Sequence, residues 1–154
     1  MDTKHSEHLE EAVAAIPSGR RFWQYARCPI DPGCGAAPSA SATGVGSCGD
    51  RIRVDVYVVN DMLEKVQCVP QGCVYTQACA NAMRELATGR TVEQALSLQP
   101  EDVADELEGL PDDHLHCARL AVNTLGNAIA DYYRKQYAAD RNKGDSLPLA
   151  DGKD

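Results

Sequence analysis

A chain of 154 residues, 44% hydrophobic and 25% charged, has room for one modest globular domain. Its formal net charge of −8 excludes the basic footprint that a nucleic-acid binder or a protein seeking anionic lipid would need. With one Trp and one Phe, the core must rest on Val, Leu, Ile, Ala and Tyr.

In chain order, residues 1–19 read as an N-terminal helix, with Leu9, Ala12, Val13 and Ile16 on one stripe and Pro17-Ser18-Gly19 as the break. The charged start carries no apolar core of the signal-peptide kind, and no run is long enough to span a bilayer. The expected location is therefore the cytoplasm, where thiols stay reduced. Residues 20–26 form a further helical turn with Phe22, Trp23 and Tyr25 as a packing cluster. Residues 28–47 have no period and read as loop, with room for a short edge strand. Residues 51–59 are the clearest strand: Ile52, Val54, Val56 and Val58 alternate with Arg51, Arg53, Asp55 and Tyr57. Asn60-Asp61 marks a tight hairpin into a second strand over 62–69, which Pro70-Gln71-Gly72 should end.

A helix over 73–87 follows, closed by Gly89 at the C′ position. Thr91 and Gln94 form a capping-box pattern at the head of a short helix over 91–98. Pro100 opens another short, acidic helix to residue 108. The last long helix spans about 113–137, with Leu115, Ala118, Val122, Leu125, Ile129 and Tyr132 as its apolar stripe. Residues 138–154 are polar and read as a disordered tail. The expected organisation is thus a helix over 1–19, a folded domain over 20–137 and that tail. The class is α+β: a small antiparallel sheet packed against several helices, the last of them long.

Seven cysteines, at positions 28, 34, 48, 68, 73, 79 and 117, are the informative feature. In a reducing compartment a cysteine is a buried small hydrophobe, a nucleophile or a metal ligand. Cys68 alternates with Val66, and Cys79 shares a helix face with Tyr75, Ala82 and Leu86, so both read as core. Cys28 and Cys34, six apart in a Pro/Gly loop, could bind zinc, form a redox pair or do nothing. Cys48, Cys73 and Cys117 each sit at the end of an element, where side chains from distant segments can converge. Thiolates at helix N-termini also gain from the helix dipole. A [2Fe–2S] cluster needs four ligands, so three cysteines leave one position open. Asp50, two residues after Cys48, or His116, beside Cys117, could fill it. A carboxylate is a poor match for iron–sulfur chemistry, which suits a protein that must release its cargo. His5 and His8 read as solvated surface. His114 is either a polar helix-start residue, a further ligand or a proton carrier.

Three segments, Cys48-Gly49-Asp50, Gly72-Cys73 and Leu115-His116-Cys117, resemble the signature segments of the U-type iron–sulfur cluster assembly scaffolds, the NifU N-terminal domain and IscU-like family. Their intervals of 25 and 44 residues fit as well. The helix running through Asn127-Ala128-Ile129-Ala130-Asp131-Tyr132 is similar, and residues 25–33 more loosely so. The resemblance covers roughly residues 20–135. It implies that Cys48, Asp50, Cys73 and Cys117 hold a transient [2Fe–2S] cluster, with His116 as an alternative metal ligand. It implies a cysteine desulfurase as sulfur donor, with Cys117 the expected persulfide acceptor, and apo-proteins as recipients. A homodimer is compatible with it, and the expected role is that of a non-catalytic carrier.

The chain also departs from that family. Where members served by a dedicated Hsp70-type chaperone carry Leu-Pro-Pro-Val-Lys, it has Leu110-Pro111-Asp112-Asp113-His114, and two added carboxylates disfavour an apolar-peptide groove. From its length the single-domain form of the family is expected, and Cys28 and Cys34 are not expected from that family. The competing reading is a zinc-stabilised binding module on the same fold, since three thiolates with Asp50 or His116 also suit zinc. An enzyme with a nucleophilic cysteine lacks a convincing base, orienter and oxyanion donors.

Overall fold

The alternating Ile52, Val54 and Val56 are wholly buried, which makes Arg51–Val59 a strand with one face on the core. In the computed structural model, which describes residues 20–28 and 35–146, this strand is the middle of a three-stranded antiparallel sheet. The order is β1 (Ala40–Val45), β2 (Arg51–Val59), β3 (Met62–Gln71). Asn60 and Asp61 make the β2–β3 turn with left-handed φ of 54° and 65°, the conformation a two-residue hairpin loop demands. The expected helix over 1–19 with His5 and His8, the loop residue Cys34 and residues 147–154 lie outside the described residues.

Five α-helices are described: α1 (Arg20–Ala26), α2 (Val74–Ala87), α3 (Val92–Leu96), α4 (Pro100–Glu106) and α5 (Leu115–Ser146). A single 3₁₀ turn, Asp112–His114, leads into α5. Helix α5 crosses the inner face of the sheet, with Cys117, Ala118, Ala121, Leu125, Ala128 and Ile129 buried. The small residues on this stripe permit a close approach. A side chain at Gly44 of β1 would collide with the Thr124 hydroxyl of α5. Asp131 of α5 accepts the Ser41 N–H of β1, an edge strand, at 3.3 Å. That N–H holds the Asp131 carboxyl below its usual range.

Helix α1 is fastened at two points. Asn81 of α2 donates to the Tyr25 carbonyl at 2.7 Å, and the Tyr25 hydroxyl donates to Glu106 of α4 at 2.6 Å. Phe22 is buried, edge-on to Trp23 at 5.3 Å and tilted against Tyr75 at 5.2 Å.

Two boundaries differ from those expected. Strand β3 does not stop at Pro70 but runs through it to Gln71. Being an edge strand, β3 can spare the missing N–H. Helix α5 does not stop at Tyr137 but continues to Ser146, so the first part of the expected disordered tail is helical. Residues 138–142 are exposed, with Arg141 standing over the Tyr137 ring at 5.8 Å. Ala138, Ala139 and Arg141 are strong helix formers, and no Pro intervenes before residue 148. A polar composition says that a segment has no core to join, not that its helix has ended.

Candidate metal centre

The centre lies where three element ends meet. Between β1 and β2 the chain turns tightly: Gly46 N–H reaches the Asp50 carbonyl at 2.7 Å, and Gly49 takes φ of 93°. This turn puts Cys48 on the surface and aims Asp50 at the start of α2. Cys73 is the N-cap residue of α2, and its side chain makes no capping bond. Its N–H instead donates to the Asp50 carboxylate at 3.2 Å. The approach is close enough that a Cβ at Gly72 would occupy the space of that carboxyl group. From the other side, the first turn of α5 delivers His116 and Cys117, the latter fully buried.

Thr76, in the first turn of α2 and wholly buried, is the hub. Its hydroxyl donates to Asp50 at 2.6 Å, is placed to donate to Cys117 Sγ at 3.5 Å and lies 3.6 Å from Cys73 Sγ. A hydroxyl has one proton, so it serves either the carboxylate or a thiolate at any moment. The short contact favours the carboxylate. That bond is the main reason the Asp50 carboxyl sits below its usual range, with the Cys73 N–H and the Cys73 and Cys48 thiols adding to it. Burial pushes the Cys117 thiol up to about 11, against the opposing pull of Thr76. At neutral pH Asp50 is thus a carboxylate and Cys117 a thiol.

The structure brings Cys48, Asp50, Cys73, His116 and Cys117 to one place. His116 Nε2 lies 3.6 Å from Cys117 Sγ, so the two are neighbours in space as well as in sequence. It also adds one residue, Thr76, and draws in His114, which the sequence offers as a further ligand among other roles. Thr76 carries no ligand signal of its own; its spacing of three from Cys73, one helical turn on, was the available clue. His114 comes forward from the 3₁₀ turn. One of its ring nitrogens and the sulfurs of Cys73 and Cys117 lie within 4.8 Å of one another. Its ring stacks on Tyr75 at 3.7 Å and 13°.

The other described cysteines stay apart from this centre. Cys68 and Cys79 are in the core, and burial raises both thiols, Cys68 to about 12. Cys28 receives the Arg84 guanidinium at 3.0 Å. None of the described cysteines forms a disulfide.

The donor set of thiols, imidazoles and one carboxylate suits zinc or iron and does not suit calcium or magnesium. Fold and site together define a small α+β protein with a cysteine-based metal centre at one end of its sheet. The chain belongs to the NifU-like N-terminal domain family, whose model matches residues 31–139. It is 36% identical over 107 residues to the iron–sulfur cluster assembly scaffold protein IscU 1 of Archaeoglobus fulgidus, covering 66% of this chain and 70% of that one. It is 35% identical over 102 residues to IscU of Aquifex aeolicus, covering 62% and 65%. The fold matches the crystal structure of the N-terminal part of a nitrogen-fixing NifU-like protein from Brucella abortus. The TM-score is 0.61 at 16% identity, over 80% of this chain and 99% of that one.

Proposed function

We propose that this protein is an iron–sulfur cluster assembly scaffold. It accepts iron and sulfide at Cys48, Asp50, Cys73 and Cys117, builds a labile [2Fe–2S] cluster and passes it to apo-proteins. The observation that carries this reading is the convergence of Asp50, Cys73 and Cys117 around Thr76, with Cys48 against Asp50, at the ends of β2, α2 and α5. The names borne by the relatives from Archaeoglobus and Aquifex support it. Asp50 already rests on an N–H and a hydroxyl, so it has somewhere to return when it lets go of iron. A ligand with an alternative partner is suited to release.

The cluster is cargo, and the protein's part is to hold and present it, without catalysis. Cys117 touches His116, yet a thiol pushed up to about 11 by burial is the opposite of an activated nucleophile. For Cys117 to accept sulfur from a desulfurase persulfide, it must first be uncovered and lose its proton. Its thiolate then attacks the outer sulfur, and the desulfurase thiolate leaves. The partners proposed are a cysteine desulfurase and apo-protein acceptors in the cytoplasm. Asp112 and Asp113 in the 3₁₀ turn weigh against an Hsp70-type chaperone that grips an apolar peptide. No helix among the described residues is long and apolar enough to cross a membrane.

Anaerobic incubation with ferrous iron, cysteine and a cysteine desulfurase tests the reading. The visible bands of a [2Fe–2S] centre should develop, be lost in Cys48→Ala, and fade as an apo-ferredoxin acquires them. Asp50→Ala should retain the cluster and slow its transfer. Uptake of zinc alone, with no transferable cluster, would instead establish the zinc-stabilised module.

A further inference from the structure

We propose that His114 is a metal ligand of this centre, completing with Cys73 and Cys117 a three-donor seat for one zinc-like or ferrous ion, in place of His116. The proposal rests on the centre being a metal site and goes beyond that reading by naming the nitrogen that binds.

Three observations point to His114. First, its ring nitrogen and the two sulfurs lie within 4.8 Å of one another. Donors around one tetrahedral zinc stand roughly 3.5–3.8 Å apart, given metal–donor bonds of about 2.0–2.3 Å. Small side-chain rotations close that gap. Second, His114 Nδ1 is buried with no hydrogen-bond partner. Buried polar atoms are nearly always satisfied, and an orphan calls for an explanation such as an ion. Third, Tyr75 stacks flat on the ring at 3.7 Å and fixes its plane without engaging either nitrogen in a hydrogen bond.

His116 is placed differently. Its Nε2 approaches Cys117 at 3.6 Å, its ring centre is 6.0 Å from that of His114, and it does not join Cys73 in the donor group. Asp50 is engaged with Thr76 and the Cys73 N–H, so the first ion meets two sulfurs and one nitrogen before any carboxylate. The fourth position is then open to Asp50, to Cys48 or to water. Asp113, close enough to Tyr75 to affect its hydroxyl, adds negative charge beside the seat. In the family register described above this position carries Lys, a point charge with no free lone pair when protonated. Here the chain carries an imidazole.

The test uses the metal-free full-length chain and zinc, with competition against a chromophoric chelator. His114→Ala and His114→Phe should each weaken zinc by about tenfold or more, the typical loss when a ligand shell is broken. The Phe variant keeps a ring on Tyr75 and so separates loss of a donor from loss of packing. His116→Ala should bind as the parent does. In the parent, long-range ¹H–¹⁵N imidazole spectra should show a zinc-induced shift of a His114 nitrogen and none for His116, a measurement that needs no variant to fold. Parent-like affinity in both His114 variants, or zinc-induced shifts confined to His116, would overturn the proposal. Cluster reconstitution in the parent is read separately. Zinc on His114 with no cluster formed sinks the scaffold reading alone, and a cluster formed with His114 silent sinks this one alone.

Discussion

At the scale of the residue, one buried hydroxyl organises the centre. Thr76 connects β2 to α5 through Asp50 and Cys117, with a single proton shared among groups of different appetite. Thr76→Val keeps the shape and removes the proton. It should destabilise the fold by about 1 kcal/mol, the usual worth of one such hydrogen bond, read from urea denaturation. It should also raise the Asp50 carboxyl toward its ordinary value, read by carboxyl titration in NMR. The sign follows from linkage: a carboxyl lowered by folding adds stability above its unfolded pKa, and that stability is lost as pH falls through the folded one. The variant should therefore lose less stability on acidification below about pH 4 than the parent does. The cysteines and Asp50 were legible in the sequence because they sit at element ends and are chemically conspicuous. His114 was legible only as one of several roles, and Thr76 was not legible at all, because an ordinary threonine becomes part of a site only through its neighbours in space.

At the scale of the element, local chemistry spoke clearly where it is strong. The alternation in β2, the Asn60-Asp61 turn and Gly89, with φ of 90°, each dictated one outcome. The capping box at α3 has both bonds formed, Gln94 N–H to Thr91 Oγ1 and Thr91 N–H to Gln94 Oε1, each at 3.1 Å. Thr91→Ala should cost about 1 kcal/mol and lower the melting temperature by a few degrees in a thermal scan. Strand β1 was only faintly legible. Ala40–Val45 has no apolar alternation of its own and is a strand because β2 pairs with it and α5 covers it. The apolar stripe of α5 was read in part. Ala118, Leu125 and Ile129 lie on it, but Leu115 and Val122 are only half-buried, and Ala121, Thr124 and Ala128 take the contact with the sheet. A tightly packed seam selects small residues, which a scan for large apolar ones passes over.

At the scale of the whole molecule, the three-stranded sheet and α5 form the frame, and α1 to α4 close its open side. Among the described residues Phe22 is the one fully buried aromatic, with Trp23, Tyr25, Tyr75 and Tyr132 packed against the core, and Val, Leu, Ile, Met, Cys and Ala fill the rest. The helical extension beyond Tyr137 stands outside this frame. A chain truncated after residue 137 should keep its cooperative unfolding and melt within about 2–3 °C of the parent, since exposed surface contributes little to stability. A drop of ten degrees or more in a calorimetric scan would mean that the extension packs on the domain after all.

The unequal depth of the three cysteines carries one more consequence. Cys48 and Cys73 stand at the surface, whereas Cys117 is fully buried. The centre therefore has two outer thiols and one inner thiol, and a cluster held by all three would leave in a set order. On the proposed function, an assembled cluster would part from the outer sulfurs of Cys48 and Cys73 before it parts from Cys117. On that same function, a receiving protein would need to face only one side of this domain, the side on which the ends of β2 and α2 meet the first turn of α5.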